Sequence, residues 1–134
     1  MKPKVYIETS IISYLTARPS RDVIVAAHQQ ITDEWWYTSK GNFDLFVSQL
    51  VQDVAQTGDQ EASQRRLAVL NEIELMEVTE KSLALARELV EKGPLPSNAT
   101  EDAIHIAIAV TNGMDYLLTW NCKHLANAAM RNKI

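Results

Sequence analysis

A single cysteine, Cys122, stands in the whole chain, so no disulfide can form within it. Such usage suits a reducing compartment, and a cytoplasmic protein is the expectation. No apolar run approaches the ~18 residues that a membrane-spanning helix needs. The opening stretch MKPKVYIE carries no apolar signal-peptide core. Repeats, low-complexity tracts and long linkers are all missing. So is an excess of positive charge: 13 Lys and Arg against 17 Asp and Glu leave a formal charge of −4. That balance argues against broad, nonspecific binding of nucleic acid but leaves room for a local basic groove.

What remains is an ordinary globular chain, 134 residues long and 46% hydrophobic, long enough to bury one core as a single domain over 1–134. Residues 3–8 are mostly apolar and predict a first strand, covered on both faces. Ser10 can cap a helix to about Thr16, and RPSRD with Pro19 breaks it. Ser20 can cap the next helix, where Ile24, Ala27, Ile31 and Trp35 form an apolar stripe. FDLFV at 43–47 is a second strand, followed by a helix from Ser48 to about Gln56. Asp59 caps a further helix with Ala62, Leu67 and Leu70. A third strand, IELMEV, covers 73–78, and Thr79 caps a helix to about Glu91 with Leu83, Ala86 and Val90 on one face. Beyond the loop KGPLPSN, Asn98 and Glu101 form a capping-box pattern. The helix they open is apolar nearly all round from Ala103 to Val110, which predicts burial. Gly113 closes it. DYLLTW at 115–120 is a fourth strand, and CKHLANAAM a last helix.

Strands alternating with helices predict an α/β domain with a mainly parallel sheet of four to five strands between two helical layers, a Rossmann-like arrangement. Sites in such sheets form at the carboxyl ends of the strands. Glu8 stands at one such end, between the apolar groups VYI and IISYL. Asp53 lies about a turn inside the helix after the second strand, Asp102 in the first turn of the buried helix, and Asn121 just beyond the fourth strand. Carboxylates gathered at one sheet edge repel each other and resist desolvation, and a divalent cation reverses that cost. Oxygen donors without a His or Cys cluster favour Mg²⁺ or Mn²⁺ over zinc. The implied reaction is hydrolysis of a phosphodiester.

Four segments, VYIETSIISYL, VSQLVQDV, EDAIHIAIA and DYLLTWNCKHLAN, together resemble the signature segments of PIN domains, most nearly the VapC-like ribonuclease toxins. The resemblance runs in order along almost the whole chain. It implies the PIN-like α/β/α fold and a Mg²⁺- or Mn²⁺-dependent endoribonuclease acting on RNA. Such proteins are often homodimeric and often silenced by a cognate antitoxin, with no membrane association. By position it assigns catalysis and metal binding to Glu8, Asp53, Asp102 and Asn121, with Ser10 and Thr119 as supporting hydroxyls. Arg18 and Arg21, in the loop after the first helix, are candidate phosphate guides.

The chain also departs from the family pattern. Glu8 stands where Asp is commoner and Asp53 where Glu is commoner. Asn121 removes a charge, which implies one resident ion and a second arriving with RNA. RNKI ends the chain where a fifth strand is usual, which exposes a sheet edge and favours a partner or dimer. An alternative is a catalytically weakened PIN-like module that binds RNA or protein. A phospho-acceptor receiver domain fits poorly, since Thr9 follows Glu8 where a second acid is needed and TWN lacks the lysine. His105 reads as a hydrogen-bonded, half-buried residue rather than a ligand or base, His28 and His124 as structural or exposed. With Cys122 they form no zinc pattern, and the thiol lacks a paired base. The aromatics Trp35 to Tyr37 read as packing or a subunit contact.

Overall fold

The computed structural model describes residues 2–92 and 100–120 of the chain. Four parallel strands, β1 (Lys4–Ile7), β2 (Asp44–Ser48), β3 (Glu74–Met76) and β4 (Tyr116–Leu118), lie in the order β3-β2-β1-β4. Helices join them: α1 (Thr9–Thr16), α2 (Val23–Ser39), α3 (Gln49–Ala55), α4 (Gln60–Leu70), α5 (Glu80–Glu91) and α6 (Thr100–Thr111), with a 3-10 turn at Lys40–Asn42. This is the parallel α/β architecture expected from the alternation of elements. The last helix, the fifth-strand question, His124 and the Asn98 half of the capping box lie outside the described residues.

Local chemistry starts most helices where the sequence predicts. Ser48, Asp59 and Thr79 each accept a backbone N–H of the first turn and cap α3, α4 and α5. Gly113 takes φ +69°, which suits a residue without Cβ at the end of α6. Two caps differ. Asp22, not Ser20, caps α2, accepting from Val25 at 2.9 Å. Ser20 instead accepts from the Asp22 N–H one step earlier. Ser10 lies inside α1, which begins after the extended residue Glu8.

The stripe on α2 is a correction. Ile24 and Ile31 are 69% and 53% exposed, whereas Gln29, Thr32 and Trp36 are buried. The inward face is polar because its groups find partners. Gln29 Oε1 accepts from the Ser20 N–H, and its Nε2 donates to the Arg18 carbonyl, both at 3.0 Å. Thr32 Oγ1 accepts from Trp120 Nε1 at 2.7 Å and donates to the His28 carbonyl. Satisfied polar groups can be buried at little cost. Within the aromatic run, Trp36 packs in the core, Trp35 is half-buried against Phe43, and Tyr37 is exposed.

α6 is buried as its composition predicts. Ala103, Ile106 and Ala107 pack with Ala86 and Leu89 of α5, while Ile108 and Ala109 join the main core under β1 and β2. The Ser82 and Thr111 hydroxyls, 2.8 Å apart, link the two helices. In register, Tyr6 lies beside Phe46 on one side and Leu117 on the other. Side chains alternate along a strand, so Tyr6 and Glu8 point to one face, as does Ser48, two residues past Phe46. That face meets α6.

Candidate active site

The acid between two apolar elements has three attachments. Its Oε1 accepts from the Ser10 hydroxyl at 2.5 Å and from the Thr119 hydroxyl at 2.6 Å. Its backbone N–H donates to the Leu118 carbonyl at 3.1 Å. Ser10 Oγ in turn accepts from the Trp120 N–H at 2.8 Å. Glu8 thus fastens the end of β1 to the end of β4 through the hydroxyls of Ser10 and Thr119. Hydrogen bonds to an ionised acceptor are roughly twice as strong as neutral ones, which helps offset burial at 7% exposure. Both bonds fall on one oxygen. Among the described residues, none is made to Oε2.

Asp102 reaches the same level from the other side. It lies three residues before His105 on α6, hence on the same helix face and about 4.5 Å further along the axis. His105 Nδ1 lies 2.7 Å from Tyr6 Oη. Glu8 is two residues beyond Tyr6, about 6.6 Å further along the strand. Helices that connect parallel strands run back against them, so both steps point toward the carboxyl edge of the sheet. Glu8 and Asp102 therefore form a layer above the Tyr6–His105 pair, and Asp102 is buried at 9% exposure.

Asp53 is placed differently. It is exposed, its Oδ1 accepts from Gln49 at 2.8 Å, and it lines a groove of about 500 Å³ with Leu50, Glu77, Val78, Leu83 and Ile104. Ile104 belongs to α6, so one wall of the groove is the helix that carries Asp102. Among the described residues, no three His, Cys, Asp or Glu side chains stand close enough together to hold a metal ion. Glu8 and Asp102 thus both lie buried toward the carboxyl edge of the sheet, and Asp53 lies at the groove wall. Asn121 lies outside the described residues. Glu77 was missed by sequence reasoning, which extended the third strand to 78. β3 ends at Met76, so Glu77 holds the position on its strand that Glu8 holds on β1.

The donor chemistry fits a hard divalent cation. Glu8 and Asp102 offer carboxylate oxygens, and the His105 imidazole has its Nδ1 engaged by Tyr6 in the interior. Mg²⁺ often takes only one or two carboxylates, keeping waters and accepting phosphate oxygens.

The two arginines are unequal. Arg18 pairs with Glu61 at 2.8 Å on the surface, whereas Arg21 is exposed in the loop before α2. His28 is half-buried, stacked on Trp120 with ring centres 4.1 Å apart.

Burial pushes the His105 imidazole below its ordinary pKa, and the carboxylates of Glu8, Glu101 and Asp102 push back. Burial also raises the Tyr6 phenol, so it stays protonated. Unfolded histidine titrates at about 6.5. Below that pH the unfolded chain takes up a proton that folded His105 refuses. Stability should therefore fall as pH drops from about 6.5 toward the lower folded value, by at most about 1.4 kcal/mol per pH unit from this group. Melting curves from pH 8 to 5 should show this slope in the wild type and a shallower one in His105→Asn.

The comparisons agree with this architecture. The PIN domain family model matches residues 5–126, and the chain belongs to the PIN-domain family. Two solved structures share the fold. One is the Mycobacterium tuberculosis toxin VapC20, described as cleaving the sarcin-ricin loop. It has a TM-score of 0.67 and 12% identity, over 97% of this chain and 96% of that one. The other is VapBC2 from Rickettsia felis, bound to a DNA fragment from its promoter. Its TM-score is 0.63 at 18% identity, over 93% of this chain and 92% of that one. No curated protein matches the sequence significantly.

Proposed function

We propose that the chain is a single-domain, metal-dependent endoribonuclease that hydrolyses RNA phosphodiester bonds, and the toxin of a type II toxin–antitoxin pair. The observation that carries this reading is the buried layer of Glu8 and Asp102 at the carboxyl edge of the sheet, with one Glu8 oxygen held by two hydroxyls. Glu8 and Asp102 would hold Mg²⁺ or Mn²⁺. Such an ion supplies charge neutralisation at a phosphate and lowers the pKa of a water. Ser10 and Thr119 hold the Glu8 carboxylate in one orientation. Asp53, at the groove wall, and the amide oxygen of Asn121 complete the set of oxygen donors as the strand enters. Arg21, and Arg18 when released from Glu61, guide the phosphates. The VapBC2 likeness supports a cognate antitoxin as partner, and the outward apolar face of α2 supports a homodimer. No helix among the described residues is long and apolar enough to cross a membrane, and a cytoplasmic setting suits the reading.

One observation favours a second reading, a PIN-like module that binds RNA or protein without cutting. The described acids do not close into a three-carboxylate cluster. A single experiment separates the two. RNA is incubated with wild type and Asp102→Asn across a titration of Mg²⁺ and Mn²⁺. The nuclease reading expects ion-dependent cleavage that falls at least about 100-fold in the variant, the scale of losing one preorganised charge-stabilising group. Cleavage indifferent to chelation or to the substitution would overturn the site. RNA binding without cleavage at any ion concentration would select the binding module.

A further inference from the structure

Beneath the carboxylate layer runs a chain of buried hydroxyls that no chemistry proposed so far uses. Tyr6 is fully buried on β1. Its Oη lies 2.7 Å from Ser48 Oγ and 2.7 Å from His105 Nδ1. Ser48, also fully buried, ends β2 and caps α3, accepting from the Val51 N–H at 3.3 Å. His105 belongs to α6 and, against the half-buried place expected from the sequence, is only 1% exposed, because α6 turns it inward against Tyr6 of β1. One phenol oxygen therefore ties β1 to both helices that carry the other acids, α3 with Asp53 and α6 with Asp102.

The far side of the imidazole fixes the direction of the bonds. His105 Nε2 is buried without a hydrogen-bond partner. The carboxylate it faces, Glu101, is 3.9 Å away. A lone pair there would be repelled by the carboxylate, and an N–H is attracted. Nε2 therefore carries the proton of the neutral ring, and Nδ1 accepts from the Tyr6 hydroxyl. Tyr6 Oη in turn accepts from the Ser48 hydroxyl, whose oxygen still accepts from Val51. Every hydroxyl in this order both gives and receives. The reverse order would leave a bare acceptor at Nε2 against a negative charge.

We propose that the Ser48–Tyr6–His105 chain is a positioning device, setting where Asp102 and Asp53 stand relative to Glu8 and so how tightly the site takes a divalent cation. The proposal rests on the metal-site reading above. Removing the Tyr6 hydroxyl leaves Nδ1 and Ser48 each short of a partner in a dry interior, and such groups seek new partners by shifting the elements that carry them. Ligand geometry tolerates displacements of only about 0.5 Å.

The test measures Mn²⁺ binding to the metal-free protein by electron paramagnetic resonance of the free ion. Tyr6→Phe is expected to weaken binding about 10-fold, the lower end of what loss of a supporting group costs a metal site. His105→Asn, with an amide oxygen near the place of Nδ1, should retain most of the affinity, and His105→Leu should lose as much as Tyr6→Phe. If Tyr6→Phe does not fold, the two His105 variants decide. Leu70→Ala, which opens the core at α4, should melt lower yet bind Mn²⁺ as the wild type does. The ¹⁵N shifts of His105 in the metal-free wild type should show the Nε2–H tautomer. Tyr6→Phe binding within twofold of wild type, or Leu70→Ala weakened equally, would overturn the positioning role alone. An Nδ1–H tautomer would overturn the bond direction. A wild type that binds no Mn²⁺ would remove the site and this proposal together.

Discussion

Glu8→Gln is expected to abolish RNA cleavage while the protein still folds, and Glu8→Ala to abolish cleavage and loosen the fold as well. The glutamine keeps an oxygen where Oε1 stood, so Ser10 and Thr119 still donate to it. Those bonds weaken from charge-assisted to neutral, a loss of about 1–2 kcal/mol. The same change removes burial of a charge, which favours the variant. The two effects nearly cancel, so melting should shift by only a few degrees. On the proposed metal site the ion-binding charge is then gone, and cleavage should fall at least about 100-fold. Alanine leaves the Ser10 and Thr119 hydroxyls without their acceptor and frees the end of β4 from the end of β1. A cost of about 2–4 kcal/mol follows from the two lost charge-assisted hydrogen bonds and the lost contacts. Cleavage assays and melting curves on the pair separate chemistry from architecture. A Glu8→Gln protein that cuts RNA as well as wild type would make Glu8 a strand fastener and nothing more.

Much of this fold was legible because it is written in local chemistry. Ser48, Asp59 and Thr79 each precede an apolar-periodic run and cap the helix they announce. The all-round apolar character of the helix after Glu101 predicts its burial. Alternation of elements gives parallel pairing, since such connections cross over the sheet. The failure on α2 has a different source. Periodicity assigns apolar residues inward, but Gln29 and Thr32 have partners the pattern cannot see. Trp120, which bonds Thr32, lies 88 positions away. The same holds at the site. That Glu8 stands at the joint between a strand and a helix was visible from the apolar groups on either side of it. That Thr119, 111 positions on, would supply a donor became visible only through the family resemblance. Asp53 shows how far sequence order reaches: it sets the residue in the helix after β2, while its place at the groove wall and its bond from Gln49 are visible only in three dimensions.

The packing beneath α6 carries the largest expected loss of stability. Ile108 is fully buried, on the helix that holds Asp102 and His105. Ile108→Ala removes three carbons from a core whose helix and sheet backbones can close the gap only in part. Such truncations cost about 2–5 kcal/mol. For a chain of this size, 1 kcal/mol moves the melting temperature on the order of 4 °C, so the midpoint should drop by roughly 8–20 °C. Ile108→Val, one methylene smaller, should lose about 0.5–1.5 kcal/mol. Ile108 follows Asp102 by nearly two turns, and the Tyr6–His105 bond lies between them. If that bond fixes the start of the helix, Mn²⁺ affinity at low temperature should survive the cavity even as the melting point falls. Affinity lost in proportion to stability across the Ile108 pair would mean instead that general tightness of the core, rather than the hydroxyl chain, holds the acids in place.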